Sequence, residues 1–194
     1  MNTTVTKKTM KVLVLNNFAV GQTHLGQSVF AARSFRVGDV ITQFTGETFH
    51  KSEIPKRYKG EDDRFVQIGQ DQFMGPSGGV DDLINHSCDP NSGLKFNSEN
   101  IYLVALKDIA EGDEITWDYS TTMFENNWKM KCDCKSGSCR KIIGDFSLLD
   151  RELQQKYKEL NVIPQYIKDY MDSPEYPVYT EAIEQMKLHG KTKR

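Results

Sequence analysis

The sequence predicts a mainly β fold with helices gathered at its C-terminal end. Short apolar stretches recur between residues 10 and 120, separated by Gly, Asn and Asp turns, the pattern of many short strands. After Phe146 the apolar residues change to helical spacing. The 194 residues are 38% hydrophobic and 27% charged, which suits one globular domain with a real core and an appendage.

The elements follow in order. Residues 10–15 read as a first strand, broken by Asn16-Asn17. Residues 24–32 are a glycine turn at Gly26 running into a strand, and residues 34–39 turn the chain back. Residues 40–44 form a further strand that ends at Gly46-Glu47. Residues 50–58 are a polar insertion with helical character, interrupted by Pro55, and residues 59–63 a charged loop. Residues 64–68 alternate as a strand whose hairpin partner is 72–74 across Gly69-Gln70-Asp71. A loop with Pro76 follows over residues 75–79. Residues 93–96 and 101–106 pair across the strong turn cluster Asn97-Ser98-Glu99-Asn100. The turn Glu111-Gly112-Asp113 feeds a strand in which Ile115, Trp117 and Tyr119 alternate.

Leu148, Leu149, Leu153, Tyr157 and Leu160 then recur at helical spacing. Ser147 is the candidate cap and Asn161 the end, with a stripe suited to packing on the β core. Pro164 opens a second short helix to about Met171. Residues 173–177 read as a linker, 180–188 as a last helix, and 187–194 as a short basic, solvated tail.

The net charge of −2 gives no overall electrostatic case for direct nucleic-acid binding. No apolar run approaches a membrane span, and the run at 12–15 is too short for a signal peptide. The expectation is an intracellular protein, cytoplasmic or nuclear and not secreted. In such a reducing compartment the four cysteines, Cys88, Cys132, Cys134 and Cys139, are thiols or metal ligands.

The chemistry concentrates between Asp81 and Tyr119. Asn85, His86, Ser87 and Cys88 stand in consecutive positions just before Pro90. Pro90 cannot continue a helix, so this polar cluster sits on a turn or a strand end. Beside an aromatic strand, it is a candidate site.

Asn85-His86-Ser87-Cys88-Asp89-Pro90-Asn91, followed by Gly112-Asp113-Glu114-Ile115-Thr116-Trp117-Asp118-Tyr119, resembles the two core motifs of SET-domain protein lysine methyltransferases. Cys132-Asp133-Cys134, with Cys139 after Ser136-Gly137-Ser138, is similar to the family's post-SET segment. The resemblance covers roughly residues 24–146. It implies the SET-domain β-clip fold with knot-like threading near Asn85-His86. It also implies a SET domain at 24–120 and a post-SET zinc segment at 121–146, preceded by an N-terminal strand and lead-in at 1–23. A helical extension and basic tail at 147–194 complete the chain.

The resemblance also implies an activity, the S-adenosylmethionine-dependent methylation of a lysine amine in a protein, with a histone tail or a non-histone protein as substrate. Gly26, Gln27 and Ser28 stand at the family's cofactor-binding Gly-x-Gly, with serine replacing the second glycine. Asn85 and His86 match the pair that holds the methionine and adenine parts of the cofactor. Ile142 stands where an apolar residue caps the adenine. Tyr119 matches the catalytic tyrosine, whose hydroxyl orients the amine, polarises the methyl or assists proton loss. Trp117, Phe65 and Phe73 stand in the substrate channel, where the family carries other aromatics, and Asp82 replaces an arginine. Trp117 is bulky and lacks a hydroxyl, so its effect on product state is open in either direction. The local cysteine run supplies three ligands for a structural Zn2+. The resemblance adds Cys88 as the fourth. A SET-fold binding module without turnover, and a methyltransferase for a small amine, are the alternative readings.

Overall fold

The computed structural model describes residues 13–15, 17–54, 64–97, 100–125, 128–174 and 176. The predicted loop at 59–63, residues 55–58 of the polar insertion, the centre of the 97–100 turn, the helix at 180–188 and the basic tail lie outside them.

Small sheets dominate the described residues. β1 (Leu13–Leu15), β2 (Phe18–Thr23) and β3 (Gly26–Ala31) form an antiparallel sheet in that order. Two glycines shape it. Gly26 takes φ +107 at the turn, a conformation that disfavours any Cβ, and at Gly21 a Cβ would meet the Phe30 ring at 2.8 Å. β4 (Val40–Phe44), β9 (Ser92–Phe96) and β10 (Ile101–Ala105) form a second sheet with β10 central. The expected 93–106 hairpin is therefore present, with Leu103 opposite Leu94. β5 (Thr48–His50), β6 (Val66–Gln67) and β7 (Gln72–Met74) form a third, so the 64–68 strand is shorter than its alternation predicts.

A short parallel ladder brings the two motifs together. β8 (Asn85–His86) lies beside β11 (Thr116–Trp117), pairing Asn85 with Thr116 and His86 with Trp117. The expected strand through Tyr119 stops at Trp117. Asp118 accepts a hydrogen bond from Ser120 N at 3.0 Å and caps a 3-10 turn over Tyr119–Thr121. An Asp side chain competes with the ladder for backbone N–H groups, and here it wins. β12 (Lys129–Lys131) and β13 (Ile142–Gly144) form a last hairpin around the cysteine run.

α1 (Arg151–Glu159) begins after Asp150, whose carboxylate accepts from Leu153 N at 2.8 Å. Asp150 is thus the cap. Ser147, the expected one, is buried in the preceding 3-10 turn. α2 (Gln165–Met171) follows Pro164 as predicted. Val29, Leu94, Leu103, Ile109 and Ile115 centre the β core, and Phe146, Tyr157, Val162, Ile163 and Ile167 centre a second cluster that holds the helices. Among the described residues, no helix is long and apolar enough to cross a membrane.

Candidate active site and cysteine centre

The ends of β3, β8 and β11 and the start of β12 enclose a cavity of about 450 Å3, within the usual range for a ligand site. Gln27, Asn85, His86, Trp117, Tyr119, Phe65, Cys132 and Cys134 are among the lining residues. Leu25, Trp128 and Met130 complete parts of the wall. His24 reaches over the rim, its Nε2 2.8 Å from Asp133 O.

Tyr119 enters the cavity from its 3-10 turn. Its hydroxyl donates to Ile84 O at 2.9 Å, and its ring lies 4.9 Å from Trp117 and 5.3 Å from His86. Trp117 in turn meets Phe44 edge-on. Tyr119 N donates to His86 Nδ1 at 3.2 Å. Burial lowers the His86 pKa to about 4, against the opposing pull of Asp118. The imidazole is therefore neutral, and the 3.5 Å separation of Nδ1 from Asp118 Oδ1 is a contact between two acceptors, not an ion pair. Nε2 faces Cys88 Sγ at 3.3 Å.

Asp118 is fully buried beneath this site. Arg140 Nη2 donates to its Oδ1 at 2.7 Å and the Tyr157 hydroxyl to its Oδ2 at 2.8 Å. Burial works against the Arg140 charge, but Asp118 more than offsets it and the net pKa shift is upward. Burial, then the Asp118 charge, pushes the Tyr157 hydroxyl well above the ordinary phenol range, so it stays a donor.

The strand period of two decides which predicted residues face the cavity. Gln27 does, but its neighbours do not line it. Gly26 forms the β2–β3 turn, and Ser28 points into the protein and donates to Glu114 Oε1 at 2.5 Å. The same carboxylate lies 3.4 Å from Asn85 Nδ2, which also donates to Gln27 O at 3.1 Å. Met74 lines the cavity, so Phe73 on the same strand points away and is buried between β5 and β6. Phe73 is absent from the cavity lining. Ile143 is buried against the cysteines, which turns Ile142 outward at 61% exposure and away from the cavity lining.

The four thiols converge. Cys132 Sγ lies 3.7 Å from both Cys88 Sγ and Cys139 Sγ. Thiolates about 2.3 Å from one tetrahedral Zn2+ sit about 3.8 Å apart, so these separations fit a zinc site. Backbone N–H groups point at sulfur: Cys88 N at Cys134 Sγ, 3.5 Å, and Arg140 N at Cys88 Sγ, 3.4 Å. Burial raises the Cys132 and Cys88 thiol pKa values. At Cys134 burial is outweighed by the Cys88 N–H and by Ser136, and the pKa falls to about 6. His86, Cys88, Cys132 and Cys134 offer ligand atoms that all lie within 4.8 Å of one another, a set that holds His86 in place of Cys139.

Residues 26–120 match the family model described as the SET domain. This chain carries a SET domain. A variant-silencing SET domain-containing protein of Plasmodium falciparum is 35% identical over 130 residues, covering 59% of this chain and 5% of that protein. The histone-lysine N-methyltransferase ATX2 of Arabidopsis thaliana is 27% identical over 157 residues, 74% of this chain and 14% of that protein. This chain therefore spans a small part of the length of these relatives. The methyltransferase domain of human SETMAR shares the fold at TM-score 0.55 and 22% identity, covering 66% of this chain and 58% of that one.

Four residues that hold the site from behind were not among the expected site residues: Glu114 and Asp118 inside the SET-domain match, and Arg140 and Tyr157 beyond it. Glu114 and Asp118 stand inside the quoted motif, and their signal was an acid beside an apolar or aromatic residue of the strand. Arg140 follows the last cysteine. Tyr157 carried no signal beyond its place in a helical stripe.

Proposed function

We propose that this chain transfers a methyl group from S-adenosylmethionine to the side-chain amine of a lysine in a protein. The observation that carries the reading is Tyr119, held by Trp117, His86 and Ile84 O in the wall of a cavity that also presents Asn85 and Gln27. Asn85, His86 and the Gln27 backbone would hold the cofactor, which supplies an electrophilic methyl on sulfur. Trp117, Phe65 and Tyr119 would form the apolar approach for the amine. A lysine amine titrates near about 10.4 in water, and an apolar wall favours its neutral, nucleophilic form. The Tyr119 hydroxyl donates to Ile84 O, so its oxygen accepts an amine N–H and aligns the nitrogen for in-line attack. The aromatic wall excludes water from that path.

Cys88, Cys132, Cys134 and Cys139 would hold a structural Zn2+, joining the turn after β8 to the β12–β13 segment at the cavity rim. The 3.7 Å separations of Cys132 Sγ from Cys88 Sγ and Cys139 Sγ, and the placement of Cys134 within 4.8 Å of Cys88 and Cys132, support the four thiols as its ligands, with His86 Nε2 donating to Cys88 Sγ. This keeps the division into lead-in, SET domain, post-SET segment and helical extension, and the knot-like threading, as parts of the same reading. Relatives named as histone-lysine methyltransferases favour a histone tail as substrate and a nuclear location.

Methyl-labelled S-adenosylmethionine tests the reading on core histones and a whole-cell protein extract, with Tyr119→Phe as control. A labelled protein band that fades in the variant is the expected result. Label confined to small molecules would move the acceptor to a free amine. Cofactor binding without any transfer would leave a binding module.

A further inference from the structure

The turn that presents Tyr119 is gripped at both ends by side chains from outside residues 26–120. Asp118 caps its start, and the Tyr157 hydroxyl on α1 donates to Asp118 Oδ2 at 2.8 Å. Thr122 closes its end, and the Tyr166 hydroxyl on α2 donates to Thr122 O. Tyr157 is only 2% exposed, and the Asp118 side chain is fully buried. Both Asp118 oxygens are engaged, Oδ1 by Ser120 N and Arg140 Nη2 and Oδ2 by Tyr157. Removing the Tyr157 hydroxyl leaves buried Oδ2 without its donor, and the carboxylate relaxes towards Ser120 N and Arg140 on Oδ1.

We propose that Tyr157 is a positioning residue for Tyr119: α1, through the Tyr157 hydroxyl on Asp118, fixes the 3-10 turn that sets the Tyr119 phenol in the cavity, and α2 supports it through Tyr166. The helical extension is then part of the working site and not an appendage. The effect on turnover rests on the proposed methyl transfer, and the effect on the turn does not.

The test compares the full chain with Tyr157→Phe, Tyr166→Phe and Ile167→Val. Ile167 is fully buried in the same helical cluster, so its variant loses stability without touching the turn. Amide exchange at residues 119–122 should quicken about tenfold in Tyr157→Phe relative to Ile167→Val, while exchange in β9 and β10 stays matched. Tyr166→Phe should do the same more weakly. At saturating cofactor and acceptor, well below the melting temperature, Tyr157→Phe should lower kcat about tenfold and leave the cofactor Kd within about twofold. Combining it with Asp118→Asn should cost no more than Asp118→Asn alone. Unchanged exchange at 119–122, an equal effect in Ile167→Val, or costs that multiply would each overturn the proposal. A wild-type chain that transfers no methyl group would sink the proposed function, and the exchange result would still decide this one.

Discussion

Replacing Ser28 by alanine removes one hydroxyl from a buried place. Ser28 is completely covered, and its hydroxyl meets Glu114 Oε1 at 2.5 Å. A hydrogen bond to a charged group contributes about 1.5–3 kcal/mol. Glu114 is only half-buried and keeps Asn85 Nδ2 at 3.4 Å, so water recovers part of the loss. The expected cost is about 1–2 kcal/mol, or about 2–8 °C in Tm for a chain of this size. Ser28→Gly restores the glycine that the family resemblance places here, yet it should cost more. It loses the same bond and adds backbone entropy, about 0.5–1 kcal/mol in a strand interior. Urea and thermal unfolding of the three proteins measure both steps. A glycine variant as stable as the wild type would refute the argument. It would mean that the Ser28–Glu114 bond contributes nothing.

Three further outcomes follow from local chemistry. Burial raises the Asp145 pKa, and its Oδ2 finds no hydrogen-bond partner among the described residues. The folded state then binds the proton more tightly than the unfolded one. Its contribution is complete below the unfolded value, about 3.9, and is lost as pH rises through the higher folded value. Asp145→Asn keeps the acceptor for Glu125 N and should flatten that slope and raise stability at neutral pH, measured by urea unfolding across pH. Asp150→Ala should remove the α1 cap for about 1 kcal/mol, seen as a Tm lowered by about 2–4 °C. Metal analysis of the purified protein should find zinc, and chelation should speed exchange of the Cys132 and Cys139 amides, now bonded to Lys141 O and Ser136 O. Metal-free protein with unchanged exchange would exclude the clamp.

The motifs were legible because their residues are adjacent in sequence. Asn85-His86 and Thr116-Trp117 are short runs that a single ladder brings side by side. The converging thiols were legible as a count of cysteines and, through the resemblance, as a set. Facing was not legible from family position alone. Ser28, Phe73 and Ile142 sit one step along a strand from Gln27, Met74 and Ile143, and a step of one reverses the face. Gly26 opens β3 at the hairpin turn and is also absent from the cavity lining. The strand through Tyr119 failed because Asp118 caps a turn, although an Asp before Tyr-Ser-Thr was a readable cap signal. β2 and β5 escaped because Gly21-Gln22-Thr23 reads as a turn and Thr48-Phe49-His50 is short and largely polar. β12 escaped because Lys-Met-Lys reads as polar. Tyr157 and Tyr166 were hidden for a different reason. A helix stripe shows which residues are buried, and nothing local shows that two hydroxyls end on one distant turn.

The central claim is that Tyr119 and its cavity serve transfer of a methyl group to a lysine amine. Mass spectrometry of protein modified by the wild-type chain, with heavy-methyl S-adenosylmethionine, locates the transferred group. The account predicts the heavy methyl on lysine Nζ, absent from the same sites with Tyr119→Phe. Heavy methyl on arginine, cysteine or a carboxylate, or equal lysine labelling by the variant, would contradict it.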